Sequence, residues 1–205
     1  MHIAEGILSP PVLLVGGALA AGGVALGLRT LRDDEIPRTA LLTTVFFIAS
    51  LVHVPLGPSS VHLMLTGLCG ILLGWRAFPA LLIALVLQAV LFGFGGLLAL
   101  GANTFILAAP AVAVGVPLRR WIARQPARAS LAGALTGGLA ILGSALLAAG
   151  ALALSHHSFR GVAALLLAGS APLIAIEAVI TAGLVHFLVR LRPELFQADG
   201  PNGAA

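Results

Sequence analysis

Long apolar segments separated by short polar ones dominate the sequence. They lie at about 10–28, 39–55, 61–75, 77–118, 129–154 and 162–191. A helix needs about 20 residues to cross a bilayer, so segment 77–118 is long enough to cross twice. We expect it to reverse near 93–96 or near 101–103. The last segment leaves room for a surface helical turn before a crossing that begins near Pro172. The pattern therefore predicts about seven transmembrane helices.

The composition agrees with a polytopic membrane protein. The chain has 205 residues, of which 60% are hydrophobic and 9% are charged, whereas soluble domains carry about 25% charged residues. We expect an all-α bundle, because only helices and closed barrels satisfy the backbone in lipid, and these apolar runs are too long for barrel strands. Residues 1–196 should form one integral membrane domain, followed by a disordered polar tail at 197–205. A single cysteine, Cys69, excludes an intramolecular disulfide and a multi-thiolate metal site.

The arginines predict the orientation of the bundle. Lysine is absent, and the arginines cluster in short connections rather than forming a nucleic-acid-binding surface. On a seven-helix topology the opposite side holds only Arg160, and the others share one side: Arg29, Arg32, Arg38, Arg76, Arg119, Arg120, Arg124, Arg128, Arg190 and Arg192. Since positive loops face the cytoplasm, we expect the C-terminus inside and the N-terminus outside.

The N-terminus has the chemistry of a metal chelator. The Met1 α-amine, the His2 amide nitrogen and the His2 ring Nδ1 can close two adjacent chelate rings. Square-planar nitrogen donors favour Ni(II) or Cu(II). No basic residue precedes the first apolar run, so a cleaved signal peptide is not expected, and bulky His2 should protect Met1 from removal. His62, at the outer end of the third apolar segment, is the best candidate for a fourth nitrogen, and the alternative is an ordinary interfacial histidine.

Other polar residues could support this site or serve only the fold. His53 could belong to the first or second shell of the metal, or be an ordinary interfacial histidine. Glu177 could approach the metal or make a buried hydrogen bond between helices. Gln88 and Asn103 could bind the N-terminal segment or join helices, and Glu5 could pair near the site or face water. His156 and His157 could collect metal, although a solvated loop is the plainer interpretation.

Four stretches together resemble one known family. They are residues 1–10, 54–63, 88–103, and 176–182 with 192–195. In this order they are similar to the CbiM/NikM family, the cobalt/nickel substrate-binding components of energy-coupling factor (ECF) transporters. Two departures occur: residues 56–61 replace a Gly-Gly-Thr-Ser-Gly-type run, and Phe94 replaces a common acid.

The resemblance implies a site, a set of partners and a location. Residues 1–9 would insert into the bundle, and the metal would be held by the Met1 amine, the His2 amide and ring, and the His62 ring. A transmembrane coupling subunit, two ATPases and, in some systems, a small accessory membrane subunit would drive import across a bacterial or archaeal inner or plasma membrane. The chain would be no enzyme, would need no cofactor besides the Ni(II) or Co(II) it carries, and would bind no nucleic acid. We find no GxxxxGK[ST] sequence for binding ATP.

Two rival functions follow from composition alone. A self-sufficient metal-ion channel or secondary carrier would need neither ATP nor partners. An intramembrane hydrolase could use Ser170 and His186, but no GxS or HExxH pattern supports it.

Overall fold

Eight helices build the part of the chain that the structure, a computed structural model, describes: residues 3–56 and 59–196. The helices are α1 (Pro10–Arg29), α2 (Ile36–Ala49), α3 (Thr66–Leu73), α4 (Ala77–Phe92), α5 (Leu100–Arg124), α6 (Ala129–Ser155), α7 (Arg160–Gly169) and α8 (Ala171–Leu191). Short 3₁₀ turns lie at Asp33–Glu35, Gly74–Arg76, Pro126–Arg128, His157–Phe159 and Pro193–Leu195. Two short strands, β1 (His53–Leu56) and β2 (Ser59–His62), form a hairpin.

The outer surface of this bundle is suited to lipid. Large apolar side chains point outward, among them Leu154, Leu14 and Leu165, which are 79%, 74% and 73% exposed. By length and apolar composition, five segments of the described chain are long enough to cross a bilayer: 10–29, 66–92, 100–124, 126–155 and 160–191. Two of these segments each contain two helices: 66–92 holds α3 and α4, and 160–191 holds α7 and α8. The helical membrane architecture is thus confirmed, and the count of about seven crossings stays a prediction.

The hairpin corrects two of the predicted helices. The second apolar segment is helical only to Ala49, not to residue 55, and the third is helical only from Thr66, not from residue 61. The strands between them pair antiparallel, with His53 opposite His62. Apolar runs of this length do not distinguish helix from strand, while β-branched Val52, Val54 and Val61 favour extended backbone.

The chain reverses direction twice where glycines adopt positive φ. Gly74 (φ 57°) follows α3, which at eight residues is only about 12 Å long. The α3 helix starts beside the hairpin and ends at the Arg76 turn, whereas α4 leads back towards Ser50, so the two run in opposite directions. The second reversal lies at 93–99, which confirms the expected turn near 93–96. The alternative at 101–103 is wrong, because α5 begins at Leu100.

The connections gather at two ends of the bundle. At one end Arg76 forms an ion pair with Glu35, and Arg38 donates to the Leu72 carbonyl at 2.5 Å. A cavity of about 260 Å³ opens there, and we call this the arginine end. Its lining includes Thr30, Gly74, Arg76, Arg119, Arg120 and Phe196. The first residues of the described chain, the hairpin and loop 93–99 lie at the opposite end, which we call the hairpin end.

Close glycine contacts place α3 deep in the bundle. A Cβ added at Gly67 would lie 2.7 Å from the Thr136 carbonyl oxygen of α6, and one at Gly70 would lie 2.0 Å from the Ala111 carbonyl oxygen of α5. A Cβ at Gly137 would lie 2.4 Å from the Glu177 carbonyl oxygen of α8. Only glycine permits backbones to approach so closely. As a result α3, α6 and α8 meet around Gly137, just below the hairpin.

Candidate metal centre

Asn103 anchors the beginning of the described chain inside the bundle. Its side-chain Oδ1 accepts a hydrogen bond from the Ile3 amide, and its Nδ2 donates to the Ile3 carbonyl, both at 3.0 Å. Ile3 is 6% exposed and Asn103 is 2% exposed. One amide side chain thus satisfies both backbone groups of Ile3, as a neighbouring strand would. Asn103 lies in the first turn of α5, which begins directly after the 93–99 reversal.

Two further contacts hold the segment that follows Ile3. The Glu5 carboxylate accepts a hydrogen bond from the Leu98 amide at 2.8 Å. Gly96 (φ 79°) lets the loop approach, since a Cβ there would lie 2.8 Å from the Glu5 side chain. The Ser9 amide donates to Ser155 Oγ at 3.0 Å. Residues 3–9 are therefore held by α5, by the 93–99 loop and by the end of α6.

His62 lies at the last position of β2, opposite His53 in the hairpin. Its residue is half-buried, and the next amide, that of Leu63, donates to the Val52 carbonyl at 3.2 Å. The backbone thus brings the two histidine positions to the open end of the hairpin.

Gln88 fixes the start of the hairpin from α4. Its Nε2 donates to Ser50 Oγ at 2.7 Å, and that hydroxyl donates to the Phe47 carbonyl at 2.6 Å. Gln88 is fully buried, and its Oε1 has no hydrogen-bond partner among the described residues. The end of α2, three residues before His53, is therefore held against α4.

Glu177 fixes the other end of the hairpin from α8. Its fully buried carboxylate accepts hydrogen bonds from the Met64 and Leu65 amides, the latter at 2.9 and 3.1 Å to its two oxygens. Leu65 is the N-cap of α3, has a left-handed backbone (φ 52°) and makes no side-chain cap of its own. Glu177 supplies the missing cap, because a negative group suits the positive end of a helix. This contact runs from α8 to the two residues that precede α3, so it differs from the hydrogen bond between two helices that the sequence offered as an alternative.

The structure thus brings most of the candidate polar residues to the hairpin end. Met1, His2 and the tail 197–205 lie outside the described residues. Within the described part, no group of three or more His, Cys, Asp or Glu residues could hold a metal. His156 is exposed and packs edge-to-face against Phe159, with ring centroids 5.3 Å apart.

Sequence reasoning missed the hydroxyls of Ser50 and Ser155 as partners at this end. Both lie at the C-terminal ends of their helices, beside polar connections. That position is the one signal that could have indicated them.

Comparison with known proteins identifies this arrangement. Residues 2–195 match the model of the CbiM family, described as the cobalt uptake substrate-specific transmembrane region. The chain belongs to the CbiM family. The resemblance inferred from the four sequence stretches is confirmed. This CbiM-family chain is a multi-pass membrane protein of cobalt and nickel transport, and the family is a metal transporter component rather than an enzyme.

Individual relatives cover almost the whole chain. A Haemophilus influenzae protein assigned to metal transport is 40% identical over 95% of this chain and 96% of its own. The cobalt transport protein CbiM of Sorangium cellulosum is 31% identical over 95% of this chain and 94% of its own. The fused nickel transport protein NikMN of Rhodobacter capsulatus is 32% identical over 95% of this chain, which spans 63% of that longer protein.

Solved structures share the fold of this CbiM-family chain. A crystal structure of a transition metal transporter superimposes with a TM-score of 0.80 at 30% identity, covering 93% of each chain. A truncated transition metal transporter superimposes with a TM-score of 0.78 at 30% identity, covering 93% of this chain and 99% of its own.

Proposed function

We propose that this chain is the substrate-binding membrane subunit of an ECF transporter and captures Ni(II) or Co(II) outside the cell. Four nitrogens would hold the ion: the Met1 α-amine, the His2 amide and ring, and the His62 ring. The two-point hydrogen bonding of Asn103 to Ile3 is the observation that carries the proposal. Ile3 directly follows His2 in the chain, so this contact would tether the proposed chelator to the hairpin end of the bundle.

The polar side chains around the hairpin end support the same site without needing to touch the metal. Asn103 and Glu5 hold the N-terminal segment, while Gln88 and Glu177 hold the two ends of the hairpin that carries His62. Groups that hold metal ligands in place commonly contribute 10–100-fold in metal affinity. The two candidate sources of nitrogen ligands are therefore each fixed to the helical frame.

The direction of capture follows from the two ends of the bundle. Counting α1, α2, α3, α4, α5, α6 and α8 as crossings gives seven, with α7 as the surface turn. The arginine end would then face the cytoplasm and the hairpin end the outside. The short α3 would cross as part of a buried core rather than against lipid, since every residue of this helix is buried.

Import would need energy from other subunits. A coupling membrane subunit and two ATPases, with a small accessory membrane subunit in some systems, would supply ATP-driven movement. Proteoliposomes that contain this chain alone should then show no sustained Ni(II) or Co(II) uptake. Sustained uptake by the chain alone would instead favour a self-sufficient channel or carrier.

The N-terminus allows a direct test of the ligand set. We would purify the chain starting at Met1, a His62→Ala variant, and a form extended by four residues before Met1. A one-residue extension is unsuitable, because a histidine at position 3 forms a four-nitrogen site by itself. The native chain should hold one equivalent of Ni(II) with a square-planar absorption spectrum, measured by mass spectrometry of bound metal and by visible absorption. Both altered forms should lose it.

The amount of Ni(II) that each altered form retains tests one proposed ligand. Equimolar Ni(II) retained by the four-residue extension would refute the amine ligand, and equimolar Ni(II) retained by His62→Ala would refute the ring ligand. Competition between Ni(II) and Co(II) in the native chain then identifies the preferred ion.

A further inference from the structure

The buried carboxylate of Glu177 is not needed for α8 to pack against its neighbouring helix α6. It lies in the second turn of α8, and the contact between α8 and α6 is already made by backbone at Gly133 and Gly137. Its carboxylate instead reaches α3 and accepts from two successive amides, those of Met64 and Leu65. This buried acid is therefore committed to one short piece of backbone.

That piece of backbone directly follows the proposed metal ligand. Met64 is two residues after His62, and the intervening Leu63 amide closes the hairpin on Val52. Leu65 holds a left-handed conformation (φ 52°), which is strained for a residue other than glycine. A carboxylate that accepts from both the Met64 and Leu65 amides stabilises this backbone in the bend that leads from β2 into α3.

We infer that Glu177 is the positioning residue for His62: its carboxylate on α8 fixes the Met64–Leu65 bend and so aims the His62 ring at the N-terminal segment. The inference rests on the proposed function. It extends that function by making α8 part of the metal site, although α8 contributes no ligand. Loss of the carboxylate should release the bend, leave the Met1 and His2 nitrogens intact, and remove the fourth nitrogen from the metal.

The test compares three changes in α8. Glu177→Gln is nearly isosteric, but its amide NH₂ replaces one of the two oxygens that face the Leu65 amide. Glu177→Asp keeps the charge but shortens the side chain by one methylene, so it cannot reach both amides. Thr181→Val is the matched control: Thr181 is one turn further along, fully buried and packed at Gly137, and its hydroxyl has no hydrogen-bond partner among the described residues.

We expect both Glu177 variants to bind Ni(II) about 10–100-fold more weakly, with loss of the four-nitrogen absorption spectrum. Thr181→Val should keep both the affinity and the spectrum. In the metal-free protein, amide hydrogen exchange of residues 62–66 should accelerate in Glu177→Gln and stay at the native rate in Thr181→Val.

Three results would overturn the inference. They are native exchange of residues 62–66 in Glu177→Gln, native Ni(II) affinity in that variant despite faster exchange, and full affinity in Glu177→Asp, which would show that charge alone matters. Failure of the proposed ligand set has a different signature, because His62→Ala would then bind Ni(II) like the native chain. The hydrogen-exchange measurement uses no metal, so it tests the Glu177 contact whether or not the proposed ligand set is right.

Discussion

Replacing Asn103 should weaken metal binding although Asn103 is not a proposed ligand. Asn103→Ala removes both hydrogen bonds to Ile3 and leaves a buried amide and a buried carbonyl without their partner. At about 1–1.5 kcal/mol of net loss for each hydrogen bond, docking of the N-terminal segment weakens by about 2–3 kcal/mol. That corresponds to about 30–150-fold in Ni(II) affinity, at 1.4 kcal/mol for each factor of ten.

The assay is competition for Ni(II) against a chelator of known affinity, with thermal unfolding in detergent measured alongside. Thr104→Val is the matched control, because Thr104 is the buried neighbour whose hydroxyl donates to the Leu100 carbonyl of its own helix. It should bind Ni(II) like the native chain. Asn103→Asp should be at least as weak as Asn103→Ala, since its second carboxylate oxygen would face the Ile3 carbonyl. If Asn103→Ala bound Ni(II) within about threefold of the native chain, docking of Ile3 would not be part of the site.

Two further predictions concern packing and protons. Gly137→Ala should destabilise the protein by about 1–3 kcal/mol, because its new methyl would overlap the α8 backbone. Gly150→Ala is the control: nothing lies within 4 Å of its new methyl, so it should stabilise α6 by up to about 1 kcal/mol. Thermal unfolding measures both effects, and equal melting temperatures for the two variants would contradict the close approach of α6 to α8 at Gly137. Ni(II) affinity should fall steeply between pH 8 and pH 5, because amines and imidazoles, which titrate near pH 8 and 6.5, must lose protons to bind metal. An affinity that did not change with pH in chelator competition would be incompatible with the proposed nitrogens.

The helical frame was predictable where length and polarity decide the structure. Apolar segments of bilayer length predicted α1, α6 and α8 closely, and the glycines at 93–96 indicated the reversal between α4 and α5. The end of α5 was predicted at residue 118, but this helix continues through the arginines to Arg124. The hairpin was not predictable in this way. Its two strands have four residues each, which is too short for a periodic pattern to distinguish strand from helix. The contacts from α4 and α8 are made to Ser50, Met64 and Leu65 beside the strands, and they are visible only in three dimensions.

The candidate site was predictable as a set of residues but not as a set of contacts. Asn103, Glu5, Gln88 and Glu177 were noticeable because polar groups are costly among apolar ones. Their partners are backbone groups or a serine hydroxyl, which can be identified only from the three-dimensional structure. The Glu177 contact with Met64 and Leu65 joins residues more than a hundred positions apart, so no local pattern could have indicated it.

With the proposed ligands, the pairing of Ile3 with Asn103 would also make metal affinity depend on how many molecules have a docked N-terminal segment. The four nitrogens would come together only in molecules whose segment is docked, so the apparent dissociation constant would be the intrinsic one divided by the docked fraction. A substitution that left about one molecule in a hundred docked would weaken capture a hundredfold while every ligand stayed in the chain. Whatever shifts that fraction, including a partner protein at the far end of α5, could load or release the ion without touching it.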